Sequence, residues 1–337
     1  MKKSIWQELV QLFQGERELS GLSNAAIRVA CALNALRFRE KQRELATLRV
    51  FQDYCASSEN PDALFHLSHR YYLSTRMSYR DRIDSALTHY GFETEHYDDC
   101  YRTIVYRGTG LPLWSHFADG VNYSIRLRRP TTPDHEGGTS VLLLAEDVCL
   151  SEMSYAWVDG RVLGGTQGII PFITRNQSTR HDDEALRRFR QAFPHNSPSY
   201  CCLAAMHGVA RAQQRSVIAG IRHDCQIAFD QQHAGGFINS YSKFWQSFGG
   251  VELDEHAYVM PVPLAVPPLS SVKSNHRRRA AERRRIWDSI EQSARGATSR
   301  HRKTVALDPS LITRNAGEVL TMLASHVPTM LWMSMVF

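Results

Sequence analysis

Apolar and polar side chains alternate along 151–157, so that Met153, Tyr155 and Trp157 share one face, the period of a half-buried strand. Asp159-Gly160 follows, a pair that tolerates positive φ at both central positions of a type I′ turn. The pattern predicts a hairpin with its return strand at 161–163. That strand runs into Gly164-Gly165-Thr166-Gln167-Gly168, and glycines at a strand end mark a sharp bend or a close approach to the backbone. Upstream, CYRTIVYRG, VNYSIRLRR and SVLLLAEDV are β-rich and punctuated by Gly108, Gly110, Gly120 and Gly137-Gly138, as in an antiparallel meander.

Helical spacing governs the rest. Ile5, Leu9, Leu12 and Phe13, then Ile27, Ala30, Leu33 and Leu36, recur every three or four residues, and the run from Arg37 continues helically through Leu45, Leu48 and Phe51. Asn60-Pro61 interrupts it, Asp62 starts a further helix, and another spans 79–90 with Gly91 as its C-cap. Helices return over 182–214, the second opened by Ser197-Pro198. They are followed by a strand at 216–222, an aromatic helix at 241–248 closed by Gly249-Gly250, and a strand in AYVMPVPL. The proline-rich 261–271 forces extended backbone before a basic helix. The expected class is α+β: a helical region at 1–91, a mixed α/β domain with a largely antiparallel sheet at 92–268, the connector and basic helix at 269–303, and an extension at 304–337.

Composition narrows the setting. Of 337 residues 43% are hydrophobic and 22% charged, an ordinary globular balance. Seven scattered cysteines without a CxxC pair argue against a disulfide framework or zinc site and for a reducing compartment. Gln7, Glu8 and Gln11 break the first apolar run, so it reads as an amphipathic helix and not a signal peptide. No stretch is long and apolar enough to span a membrane, and a cytoplasmic protein, peripheral at the inner membrane, is expected. The net charge of +6 is concentrated between Lys273 and Lys303, where cations far outnumber Glu282, Asp288 and Glu291.

ALTHYGF at 86–92, VLGGTQG at 162–168 and INSYSKFWQSFGG at 238–250, followed by the basic cluster, resemble the VirK/YbjX-like family of bacterial proteins over about 80–300. The resemblance implies a link to envelope remodelling, resistance to cationic peptides and surface virulence factors, with no settled biochemical activity. The chain departs from the family pattern at Pro198-Ser199, where a basic residue is usual, and at GIRHDCQ after the strand. The order strand, loop, helix, strand, helix, strand also resembles the acyltransferase fold of the GNAT superfamily, although the phosphate-loop signature is not met at Gln167-Gly168.

Several residue sets carry candidate chemistry. The amides of Gly164, Gly165, Gln167 and Gly168 would face a donor's phosphate or carbonyl, against the reading of a plain packed turn. His223 and Tyr241 are the acid/base candidates, but neighbours on a strand point apart, so His223 and Asp224 are not expected to touch. Trp157, Phe244 and Trp245 would line an acceptor pocket, although an aromatic stripe with Tyr241 and Phe248 is more often core. His207 reads as a core histidine, and His66 with His69 lacks a third metal ligand. Arg277, Arg278, Arg284 and Arg285 share a broad helical face suited to phosphate. Its partner would be anionic lipid, a nucleotide-containing donor or RNA. The expected activity is acyl or aminoacyl transfer from a phosphate-bearing donor, acyl-CoA or aminoacyl-tRNA, with no tightly bound cofactor and no metal. The alternative is a non-enzymatic envelope accessory protein held to anionic membrane by the basic helix.

Overall fold

The computed structural model describes residues 33–34, 36–57, 72–130, 136–165, 167–178, 183–254, 256–264 and 268–303. The N-terminal amphipathic stretch, the helix starting at Asp62 with His66 and His69, and the extension at 304–337 lie outside them. Residues 1–303 form one unit and 304–337 another.

Helices α1 (Arg39–Thr47) and α2 (Arg49–Ser57) are separate, because Leu48 between them takes an extended ψ of 123°. Helix α3 (Tyr79–His96) starts on a capping box between Ser78 and Asp81. It runs through Gly91 and ends at Tyr97, contrary to the expected C-cap. Phe92 and Glu93 beyond that glycine are buried, which outweighs a penalty of about 1 kcal/mol for glycine in a helix. The expected strand after Asp98 is also helical. Asp98 caps α4 (Asp99–Arg102), which continues as a π turn (Thr103–Arg107), burying Tyr101, Val105 and Tyr106 at helical spacing.

Eight strands form one sheet: β1 (Leu111–Ala118), β2 (Val121–Arg128), β3 (Thr139–Ala145), β4 (Val148–Asp159), β5 (Ile169–Ser178), β6 (Val217–Ile221), β7 (Val251–Leu253) and β8 (Ala257–Pro261). Their order is β1-β2-β3-β4-β5-β6-β8-β7, and only β5 and β6 are parallel. The fold is thus α+β with a largely antiparallel sheet. The return strand of the central hairpin is β5, not 161–163. Asp159 keeps φ at −70° and accepts from the Arg161 N–H, capping a 3-10 turn (Gly160–Leu163) that Gly164 closes at φ 78°. A wider loop therefore replaces the type I′ turn.

Between β5 and β6 run α5 (Asp183–Ala192) and α6 (Pro198–Ala212); α7 (Ala234–Ser240) and α8 (Ser242–Ser247) precede β7, and α9 (Ser274–Ser299) follows β8. Phe189 of α5 and Phe193 just after it pack on Tyr123. Helix α9 reaches β1 through Ser293, which donates to Leu113 O at 2.6 Å. It crosses α6 at Gly208, where a Cβ would meet Glu291 O at 2.4 Å, so only glycine admits this approach. His207 beside it is fully buried, as expected, and burial lowers its pKa to about 3.

The sheet-end of α3 holds a second buried network. β3 stops pairing at Tyr155, and beyond that point the Trp157 N–H donates to His89 Nδ1 at 3.2 Å. Glu93, one turn on, accepts from the Tyr106 and Tyr101 hydroxyls, and burial raises its pKa to about 7.

Candidate functional site

The one parallel pair is short. β5 and β6 are joined only at Phe172↔Ala219 and Ile173↔Gly220. On its other edge β5 carries a bulge, since Ser154 pairs with Arg175 and Tyr155 with Ile173, leaving Thr174 as the extra residue. Bulges re-aim side chains and recur beside functional sites. Past Ile173 the two parallel strands part, and the carboxyl ends of parallel strands are where open sheets form a crevice.

Tyr241, at the junction of α7 and α8, stands in that parting. Its hydroxyl accepts from the Asn176 backbone N–H at 3.4 Å, and the Asn176 amide donates to Ser240 O at 2.8 Å. Tyr241 is buried, and desolvation, with the Glu136 charge second, raises its pKa. Its hydroxyl therefore stays protonated at neutral pH and is a proton donor, not a base.

His223 lies just past β6 in a 3-10 turn (His223–Cys225). As expected it does not pair with Asp224. That carboxylate is taken by the Arg222 fork at 2.6 Å on both oxygens, which lowers its pKa to about 2. His223 Nδ1 instead meets Ser242 Oγ at 2.7 Å. Ser242 follows Tyr241, so the structure brings the two acid/base candidates to one place through a serine that sequence reasoning passed over.

Cross-strand register extends the site. Partners directly opposite in an antiparallel sheet share a face. One row therefore reads Arg126, Leu142, Glu152, Gln177, and the next Arg128, Ser140, Ser154, Arg175. Contacts agree: Ser140 Oγ lies 2.8 Å from Ser154 Oγ, and Arg175 lies 3.8 Å from Glu152 and 3.1 Å from Glu136. Gln226 donates to Glu136 in turn. This face of the sheet is polar yet withdrawn from water, with Ser140 0%, Ser154 1% and Glu152 8% exposed.

The other candidate residues sit elsewhere. The Gly164 and Gly165 amides are consumed by Arg161 O and Gly160 O, at 3.1 and 2.9 Å. A Cβ at Gly164 would strike Asp254 at 2.5 Å, and Gly165 abuts Leu253. That rim precedes β5, the end opposite the parting, and Gln167 is exposed beside Gly168. Trp157 is buried between Phe92 and Tyr155, in the core and not in a pocket. Trp245 lies flat on Gly220 and donates to Ile221 O at 2.8 Å. Phe244 packs against Trp245, Tyr200 and Phe248.

On α9, Arg277 caps the carbonyls of Val272 and Ser270, and Arg278 pairs with Glu282 at 3.1 Å. Arg284 and Arg285 flank an open groove of about 500 Å³ with Leu269, Asp288 and Gln292. Among the described residues no hydrogen bond or ion pair links α9 to the 160–168 loop. The closer link is to the first turn of α6, where Trp287, under the Arg283 guanidinium, meets Tyr200.

A family model described as a protein of unknown function, DUF535, matches residues 24–295. No curated protein and no solved structure matches the chain. The match spans most of the sequence, the parting strands and the polar face included, and the chain belongs to DUF535, the family that includes VirK/YbjX.

Proposed function

We propose that this protein transfers an acyl or aminoacyl group from a phosphate-bearing donor, acyl-CoA or an aminoacyl-tRNA, in the crevice where β5 and β6 part. The observation that carries the reading is the lone parallel pair, joined at two residue pairs, with Tyr241 and the His223–Ser242 pair at its open end. Two helices cross from β5 to β6, and the resemblance of the sequence order strand, loop, helix, strand to the GNAT superfamily favours this reaction class by analogy alone.

The roles follow from where the groups stand. An amine or hydroxyl acceptor attacks the donor carbonyl as the thioester or ester bond breaks. His223, oriented through Nδ1 by Ser242, takes the acceptor's proton on Nε2. The Tyr241 hydroxyl donates a hydrogen bond to the departing thiolate or alkoxide, which takes its proton from the His223 imidazolium. The Gly164 and Gly165 amides have no part in this scheme, because they are already bonded. A thermal-shift assay tests it. Donor at 30- to 1,000-fold its Kd adds roughly 2–4 kcal/mol of stability, and Tyr241→Phe retains that binding while slowing transfer by about 10²–10⁴-fold. No stabilisation by acyl-CoA or aminoacyl-tRNA would falsify the proposal.

A second reading concerns place. Arg277, Arg278, Arg279 and Arg285 are exposed on the first half of α9. Each cation near an anionic bilayer contributes about 1 kcal/mol, so this helix would hold the protein to the cytoplasmic face of the inner membrane.

A further inference from the structure

We propose that the buried polar face of the sheet is an anion-binding floor, on which Arg126 and Arg128 grip a phosphate or carboxylate of a small ligand whose hydroxyl or amine reaches Glu152. The claim concerns binding and stands apart from the transfer reaction above.

A polar sheet face is ordinarily left to water. Here Ser140, Leu142 and Ser154 are at most 1% exposed, so this face is an interior surface. Buried polar groups almost always have partners, and most around it do: Arg175 has Glu136 and Glu152, and the serines have each other. Three atoms stand out. Arg126 Nε, Arg128 Nε and Glu152 Oε1 are out of contact with water and have no hydrogen-bond partner. Both arginines are half-buried, and no acid among the described residues pairs with either.

Position gives the ligand's chemistry. Arg126 and Arg128 are two apart on β2, so their Cα atoms are about 6.6 Å apart on one face, close enough for both forks to converge on one phosphate-sized anion. Glu152 lies two strands away in the row of Arg126, about 9.6 Å between backbones. Its unpaired oxygen accepts from a ligand hydroxyl or amine. The row of Arg128 ends at Arg175, beside Tyr241. A ligand on this floor thus extends toward the crevice.

The experiment is thermal melting at constant ionic strength with inorganic phosphate, sorbitol 6-phosphate, acetate or sorbitol as probes. Wild type should be stabilised saturably by the phosphates, acetate marking the carboxylate arm and sorbitol giving nothing. Arg126→Gln and Arg128→Gln should each weaken the phosphate response at least tenfold while melting, without ligand, within about 1–2 °C of wild type, since no ion pair or hydrogen bond is lost from these half-buried side chains. Glu152→Gln should spare inorganic phosphate and weaken sorbitol 6-phosphate several-fold. Arg279→Gln with Arg285→Gln on α9 should change none of these. The proposal is overturned if wild type responds to no anion, if the response survives in both sheet variants, or if it vanishes in the α9 variant.

Discussion

Replacing Glu93 by glutamine should change how stability depends on pH, with a size set by burial. The carboxyl accepts from Tyr106 and Tyr101, which favours its charged form, as does the nearby Trp157 indole. Desolvation at full burial is the larger effect and raises the pKa from 4.5 to about 7. Between those values the unfolded chain has released the proton while the folded chain keeps it, so stability falls as pH rises through that window and is fully present below it. At about 1.4 kcal/mol per unit the loss comes to about 3 kcal/mol. His89 and His207, lowered to about 3 by burial, act in the opposite sense, losing stability as pH falls from 6.5 toward 3. Both remain in the variant and cancel in the difference. Glu93→Gln keeps the size and an acceptor for the tyrosines but cannot ionise. Melting curves at pH 4.5 and pH 8 should therefore show the variant gaining about 3 kcal/mol on wild type, about 4–5 °C in Tm for a chain of this size. Parallel curves for the two proteins would refute a neutral Glu93.

Three further outcomes follow from packing and charge. Gly208→Leu forces α6 and α9 apart, since even a Cβ meets Glu291 O at 2.4 Å; it should cost about 1–3 kcal/mol or more in denaturant unfolding. Trp245→Phe leaves the Ile221 carbonyl without its buried donor and should cost about 1–3 kcal/mol by the same measurement. Arg279→Glu with Arg285→Glu, both exposed on α9, should weaken co-sedimentation with anionic vesicles by more than tenfold and leave the melting temperature within 1–2 °C, as surface substitutions do.

Much of the sheet was legible because one face is apolar. The β-rich runs VNYSIRLRR and SVLLLAEDV, set off by turn glycines, give β2 and β3, and Ser197-Pro198 marks the start of α6. The misses share a cause: tertiary burial overrode a local signal. Gly91 reads as a stop, but Phe92 and Glu93 are wanted in the core. Cys100–Arg107 has strand-like composition, but Tyr101, Val105 and Tyr106 are buried at helical spacing. Asp159-Gly160 reads as a tight turn, but the Asp159 carboxylate captures Arg161 and delays the return strand to Ile169. The site itself was half visible. His223 and Tyr241 were nameable as groups, but their meeting depends on Ser242 and on where β5 and β6 part. Arg126, Arg128, Ser140, Glu152 and Ser154 alternate as any solvated face would, and only the burial of Ser140, Glu152 and Ser154 sets them apart.

Hydrogen–deuterium exchange with saturating acyl-CoA, and separately with aminoacyl-tRNA, tests the crevice most directly. One of the two donors should slow exchange in 174–178 and 222–226, where the strands part, and leave 160–168 unchanged. Protection confined to the glycine loop or to α9, with the parted strands unaffected, would contradict the placement of the chemistry between β5 and β6.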